Sequence, residues 1–212
     1  MALKTYMAIL LLLLMLGGCI TVEQSFQKID YYTLEYEPPQ FETVSTLPFV
    51  ALIERMRVAP PYNSSKIVFS PAPYKRDAYT YHKWHAHPGN LVTYFLARDI
   101  RQAALFQGVF VERARSGVSH VIRGTVDEFF EEDRDGVWKA VLSINITLLK
   151  SNAADVTQNI LLQKQYRAKE PCQRKNPRAL AMAMSEAMSH VSKQITNDIY
   201  RLLAPGADKK VP

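Results

Sequence analysis

Three histidines, His82, His85 and His87, lie within six positions around Trp84, and a neutral imidazole is a good zinc ligand. On a strand, His85 and His87 share one face and His82 takes the other; no carboxylate or cysteine stands close by, and Pro88 follows at once. The spacing favours a polar loop beside a packed Trp, and no metal is expected. The run Glu131-Glu132-Asp133-Arg134-Asp135-Gly136 hints at calcium-loop spacing. It lacks the later glutamate of an EF-hand, however, and Asp135-Gly136 already suits a hairpin turn. Ser119, His120 and Asp127 are the residue types of a catalytic triad without a supporting motif. A nucleophile elbow, a phosphate loop and a dinucleotide fingerprint are all missing, so no catalytic residue and no cofactor is expected. Cys172 stands among Lys169, Arg174 and Lys175, surroundings that would lower a thiol pKa, and reads as a surface thiol without function. Met182, Met184 and Met188 suit an adaptable apolar groove, although core packing accounts for Met184 and Met188.

The remaining chemistry is at the start of the chain. A basic residue, Lys4, precedes an apolar run from Met7 to Leu16, and Leu16-Gly17-Gly18-Cys19 closes it with two glycines and a cysteine. This is the layout of a signal peptide cut between Gly18 and Cys19. The run is too short to span a bilayer comfortably, since a spanning helix needs about 20 residues. The pattern resembles the lipobox of bacterial lipoproteins. That resemblance implies a diacylglycerol on the Cys19 sulfur and a further acyl chain on the new amino group. More than one chain anchors stably, because each buried CH₂ contributes roughly 0.8 kcal/mol and a single chain holds weakly.

The 194 residues from Cys19 onward suffice for one domain with a real core. The formal net charge of +6 falls by one with the loss of Lys4, leaving a mildly basic, mixed surface. Such a charge suits anionic head groups or simple solubility, and nothing points to nucleic acid. The chain has two cysteines, so lipidation of Cys19 leaves Cys172 alone and stability must come from packing.

Residues 19–29 read as a lipidated start and tether, 30–204 as the domain, and 205–212 as a loose tail. Tyr31 to Tyr36 has strand composition and stops at Pro38-Pro39. Pro48 to Val58 reads as a strand with Val50, Leu52, Met56 and Val58 inward, and Lys66 to Phe69 as a short edge strand among prolines. Asp77 to Trp84 alternates briefly. A helix is expected from Leu91, capped by Asn90 and ended by Gln107-Gly108, with Val109 to Val111 a strand after it. His120–Phe130 and Val137–Lys150 form the clearest hairpin, with Trp138, Leu142, Ile144, Ile146 and Leu148 on the buried side, and Ile160 to Ala168 follows antiparallel. Asn176-Pro177 opens a long helix whose stripe runs through Leu180, Met184, Met188, Val191, Ile195 and Ile199. Hairpin connections too short for parallel crossovers argue for an α+β domain, a mostly antiparallel sheet with two main helices on one face, after the signal peptide.

The order of motifs carries a second resemblance. A lipobox, Tyr31-Tyr32 with Leu34, Val58 with Pro60-Pro61-Tyr62, and Tyr81-His82-Lys83-Trp84 before Pro88 and a helix resemble the ABC-type transport auxiliary lipoproteins. The resemblance implies a non-catalytic lipoprotein, held at the membrane through Cys19 and facing the periplasm. Its implied partners are an ABC transporter (permease and ATPase) and a mammalian-cell-entry (MCE) domain protein that move phospholipid or other hydrophobic molecules. It implies no enzyme activity and leaves a homo-oligomer open. Members often carry Arg-Trp-Ala where this chain has Lys83-Trp84-His85, so Trp84 and Tyr81 are carried over as structural or partner-interface residues. Ile20 behind Cys19, in place of an Asp retention signal, favours the outer membrane. The competing readings are a structural lipoprotein that assists an outer-membrane or secretion assembly, and a periplasmic hydrolase.

Overall fold

Side-chain alternation from His120 to Lys150 builds the spine of the domain. The computed structural model describes residues 27–41, 45–113, 117–151 and 159–204. In chain order the strands are β1 (Asp30–Tyr32), β2 (Leu47–Ile53), β3 (Arg57–Val58), β4 (Lys66–Ser70), β5 (Asp77–Trp84), β6 (Phe106–Val111), β7 (His120–Arg134), β8 (Val137–Lys150) and β9 (Ile160–Pro171). The helices are α1 (Pro88–Gln102) and α2 (Pro177–Leu203), and Pro60–Tyr62 forms a 3₁₀ turn. β7 and β8 pair along their whole length. Asp135 and Gly136 join them at φ +52° and +74°, the positive values that a two-residue type I′ turn requires. β9 adds antiparallel to β8. The other side of β7 is shared: its first half takes β2 and β3, its last residues take β4. β6 extends from β2, while β5 and then β1 extend from β4.

The α+β class holds, with both helices packed against the sheet, yet the sheet is mixed. Among the described residues five of eight strand pairings are parallel: β1 with β5, β2 with β6, and β2, β3 and β4 each with β7. The long antiparallel ladders of β7, β8 and β9 nonetheless hold most of the paired residues. Parallel pairing needs long crossovers, and these are supplied by non-sequential neighbours: α1 and three strands separate β2 from β6. β4 is accordingly internal, between β5 and β7, and not an edge; Pro71 and Pro73 lie just past its end.

The core lies between the sheet and the helices. Ile122, Val126, Phe129, Leu142, Ile144, Ile146 and Leu148 meet Met184, Met188, Val191 and Ile195 there, all fully buried or nearly so. The expected stripe of β2 is out of phase: Leu47, Ala51 and Ile53 are buried, while Val50 and Leu52 are only half-buried. The ladder breaks at residues 54–56. Thr93 Oγ1 of α1 accepts the Met56 N–H at 2.9 Å, which turns Met56 into the core three positions after Ile53. Gly124 of β7 is required where the backbone passes this point, because a Cβ there would collide with the Asn145 carbonyl and touch Met56 Sδ.

Only Asp30–Tyr32 of the first expected strand joins the sheet. The chain then leaves to cross the helices: Leu34 is buried, the Glu35 N–H donates to Ser185 Oγ of α2 at 2.9 Å, and Tyr36 packs on Phe95 of α1. The cap of α1 is His87 and not Asn90, because Pro88 fits the first helical position and the His87 ring accepts the Gly89 N–H. The helix stops at Gln102, and Ala104 at φ +50° reverses the chain into β6. Asn176 caps α2 as expected, its Oδ1 accepting the Ala179 N–H at 2.8 Å.

Candidate functional site

Gly18 and Cys19, the expected cleavage and lipidation residues, lie outside the described residues. The described chain enters the sheet at β1, an edge strand beside β5. Register pairs Asp30 with His82, Tyr31 with Lys83 and Tyr32 with Trp84. Trp84 is 1% exposed and meets Phe129 edge-on at 5.0 Å between ring centres, while its Nε1 has no hydrogen-bond partner among the described residues. Tyr81 is exposed. The β1–β5 edge thus buries its Trp as a core anchor and presents Tyr81 to solvent.

The three histidines take separate jobs. His82 Nδ1 meets the Tyr32 hydroxyl at 3.2 Å. His87 accepts from Gly89 on Nδ1, so its proton sits on Nε2, which donates to Asn63 Oδ1 at 2.8 Å. Burial, then the charge of Arg55, holds the His87 pKa below the usual imidazole value. His85 packs against Tyr31. Among the described residues no three His, Cys, Asp or Glu side chains converge as a metal site.

Ser119 and His120 do meet, with His120 Nδ1 at 3.1 Å from Ser119 Oγ, but the hydroxyl is spent on β2. Ser119 Oγ accepts the Val50 N–H at 2.9 Å and lies 3.0 Å from the Val50 carbonyl, so it bridges both backbone groups of that β2 residue. Asp127 lies seven residues along β7 and accepts from Gln165 of β9 instead. The arrangement ties β2 to β7 and does not assemble a triad.

The acidic run splits by strand phase. A bulge at Asp127 shifts the alternation, so Glu131 follows Phe129 onto the helix-covered face while Glu132, also buried, takes the opposite face. The Tyr79 hydroxyl of β5 donates to Glu131 at 3.0 Å, and the carboxyl is 1% exposed. Burial raises its pKa to about 7, against the lowering effect of Tyr79. Burial also acts on Glu132, but the Lys169 ammonium at 3.0 Å outweighs it and holds that carboxyl below its usual value. Asp133 pairs with Lys175 at 3.7 Å. In sequence the run reads as a turn and not a calcium loop; the one signal for Glu131 is its place two residues after Phe129.

Cys172 belongs to the same cluster, and here the expectation of a lowered thiol pKa fails. The side chain is half-buried, and burial followed by the Glu131 charge pushes it up to about 11. Its flanking Lys175 is engaged by Asp133, so sequence neighbours do not set its field. A second network was not anticipated either: the Tyr36 hydroxyl donates to the buried Asp99 at 2.7 Å, and Arg98 holds Asp99 at 2.8 Å while lying over the Tyr36 and Phe95 rings. This clamp fixes the segment after β1 onto α1. Of the methionines, Met184 and Met188 are fully buried in the core and Met182 is exposed.

Surface clefts are modest. One of about 310 Å³ lies between Phe41, Leu105, Lys193, Tyr200 and Arg201; another, of about 460 Å³, lies on the outer sheet face around Val121, Leu149 and Ile160. Both sit toward the small end of ligand pockets, roughly 300–1,000 Å³. The geometry describes a filled α+β body whose polar clusters fasten strands and helices together.

The likeness of this fold to solved structures is extensive at low identity. A Xanthomonas campestris protein of family DUF330 superposes with a TM-score of 0.73 at 14% identity, covering 82% of this chain and 95% of that one. An uncharacterized protein gives 0.64 at 12% identity over 81% and 99%. The Chlamydia trachomatis hypothetical protein CT253 gives 0.51 at 6% identity over 74% and 99%. These shares establish the fold. No curated protein matches. A family model described as the ABC-type transport auxiliary lipoprotein component matches residues 32–196, from β1 to the last turns of α2. The chain belongs to the ABC-type transport auxiliary lipoprotein component family.

Proposed function

We propose that this chain is a non-catalytic accessory lipoprotein of an ABC transport system containing an MCE-domain protein, and that the cargo is phospholipid or another hydrophobic molecule. Acylation of Cys19 holds the domain at the outer membrane, facing the periplasm. The observation that carries this reading is the family match over residues 32–196, directly behind a lipobox at Leu16–Cys19. The interior supports a docking part more than a carrier. Side chains from sheet and helices fill the core, and the triad residue types are held by structural bonds.

The mechanism is passive. ATP hydrolysis takes place in a separate subunit, while this domain fixes one end of the transport route at a membrane and offers its surface to the periplasmic component. Labelled palmitate should enter the wild-type protein and not a Cys19→Ser variant, and a deletion strain should become permeable to detergents. Unlabelled wild-type protein would refute the anchor, and an unchanged barrier with unchanged lipid distribution would refute the transport role.

A further inference from the structure

One end of the sheet collects exposed apolar side chains inside a basic rim. Strand register places the elements there together: Asp77 of β5 pairs with Phe69 of β4, Ser70 of β4 with Glu132 of β7, Arg134 with Val137 across the hairpin turn, and Lys139 of β8 with Pro171 of β9. The three connections at this end are therefore residues 71–76, the 134–137 turn, and residues 172–176 leading into α2. At their tips Tyr74 is fully exposed, and Val137 is 43% exposed. Tyr74 is held at φ +61°, a conformation a bulky residue seldom adopts, between Pro73 and Lys75. Met182 of α2, half-exposed beside Pro171 and Gln173, adds a third apolar group.

Charge at this end is biased. From residue 71 to 77, 133 to 136 and 172 to 178 the sequence holds Lys75, Arg76, Arg134, Arg174, Lys175 and Arg178 against Asp77, Asp133 and Asp135. Arg76 is drawn back over the Phe130 ring, and Lys175 lies by Asp133; Lys75, Arg174 and Arg178 are exposed. A protruding Tyr with lysine and arginine around it matches a lipid interface, where an amphipathic ring sits at head-group level and cations meet anionic lipid.

The direction of the chain agrees. β1 runs parallel to β5 and starts beside His82, so the chain reaches it from the side where β5 begins. That side is the basic end, five residues or about 17 Å away along β5. Cys19 precedes Asp30 by eleven residues, a reach of at most about 40 Å. A tether of that length can bring this end onto the bilayer. The geometry points to the Tyr74 end, formed by residues 71–76, 134–137 and 172–176, as the face that rests on the anionic phospholipid surface holding the anchor. The inference rests on the acylation of Cys19 proposed above and adds the orientation of the domain.

The test uses the full-length protein purified from membranes and placed in phospholipid nanodiscs with and without phosphatidylglycerol. In a Cys172→Ser background, a nitroxide label is put at Val137→Cys or, as a distant control on α1, at Tyr94→Cys. Mass spectrometry of the same samples reports the acylation of Cys19. The expected result is a label at 137 shielded from an aqueous nickel chelate and open to lipid-dissolved oxygen when phosphatidylglycerol is present, while the label at 94 stays aqueous. Each cation near such a surface is worth roughly fivefold. Lys75→Gln with Arg174→Gln should therefore lower the shielded-to-exposed ratio about 25-fold, and Tyr74→Ser should lower it further. An acylated protein whose label at 137 is as aqueous as that at 94 overturns the orientation and leaves the anchor standing. An unacylated protein with a shielded 137 upholds the face and overturns the anchor, and an unacylated protein with an aqueous 137 overturns both. A label at 137 shielded from the nickel chelate and from oxygen alike marks contact with a second copy and also overturns the inference.

Discussion

Replacing Glu131 by Gln should stabilise the domain at neutral and alkaline pH and do little in acid. The folded state holds this carboxyl at about 7 against an ordinary value of 4.5, because burial penalises the charged form. A raised carboxyl contributes its stability fully below 4.5, where both states are protonated. As pH climbs through about 7 the folded state must ionise a buried group, and that contribution is lost. At about 1.4 kcal/mol per pKa unit the shift is worth at most about 3 kcal/mol, and the expected difference is about 1–3 kcal/mol. Gln keeps an acceptor for the Tyr79 hydroxyl and never ionises. Urea unfolding followed by the fluorescence of Trp84 and Trp138 reads the effect. The variant should match wild type at about pH 4.5 and exceed it by about 1–3 kcal/mol at about pH 8. A stability difference that does not change with pH, or a variant weaker at alkaline pH, would show that Glu131 is not a carboxyl raised by burial.

Trp84→Ala should cost about 3–5 kcal/mol in the same unfolding assay, since the ring is fully buried against Phe129. A loss of transport phenotype without that fall in stability would make Trp84 a contact residue instead of a core anchor. Asn176→Ala should cost about 1 kcal/mol by removing the cap of α2, and Asp at the same position should restore most of it. Cys172 should react slowly with iodoacetamide at neutral pH and accelerate as pH approaches about 11, and Glu131→Gln should speed it by removing a nearby negative charge. Rapid modification at neutral pH would contradict the buried setting of the thiol.

Local periodicity carried the β7–β8 hairpin and α2 into view, because each is long and one face of each is buried. The Asp77–Trp84 strand is readable from its aromatic and alternating composition, although Trp84 alone among its side chains is buried. What escaped depended on partners distant in the chain. The mixed character of the sheet arises from β4 docking on the end of β7 and β6 on β2, and neither strand carries its partner's identity in its own alternation. The phase of β2 was misjudged because the ladder breaks before Met56, whose burial is set by Thr93 of α1. Glu131 was hidden by the bulge at Asp127, which moves it from the wet phase to the buried one. The lysine and arginine neighbours of Cys172 predict a lowered thiol pKa, whereas burial, and then the charge of Glu131 brought beside it by the sheet, raises it. The Tyr81–Trp84 motif was legible as a feature, but only the fold separates a buried Trp84 from an exposed Tyr81.

Association with a transport system is decided by recovery of the partners. Full-length protein captured from solubilised membranes, with co-purifying chains identified by mass spectrometry, should bring down an ABC permease and ATPase together with an MCE-domain protein. Recovery of the protein alone, or with outer-membrane assembly or secretion components in their place, would rule that association out.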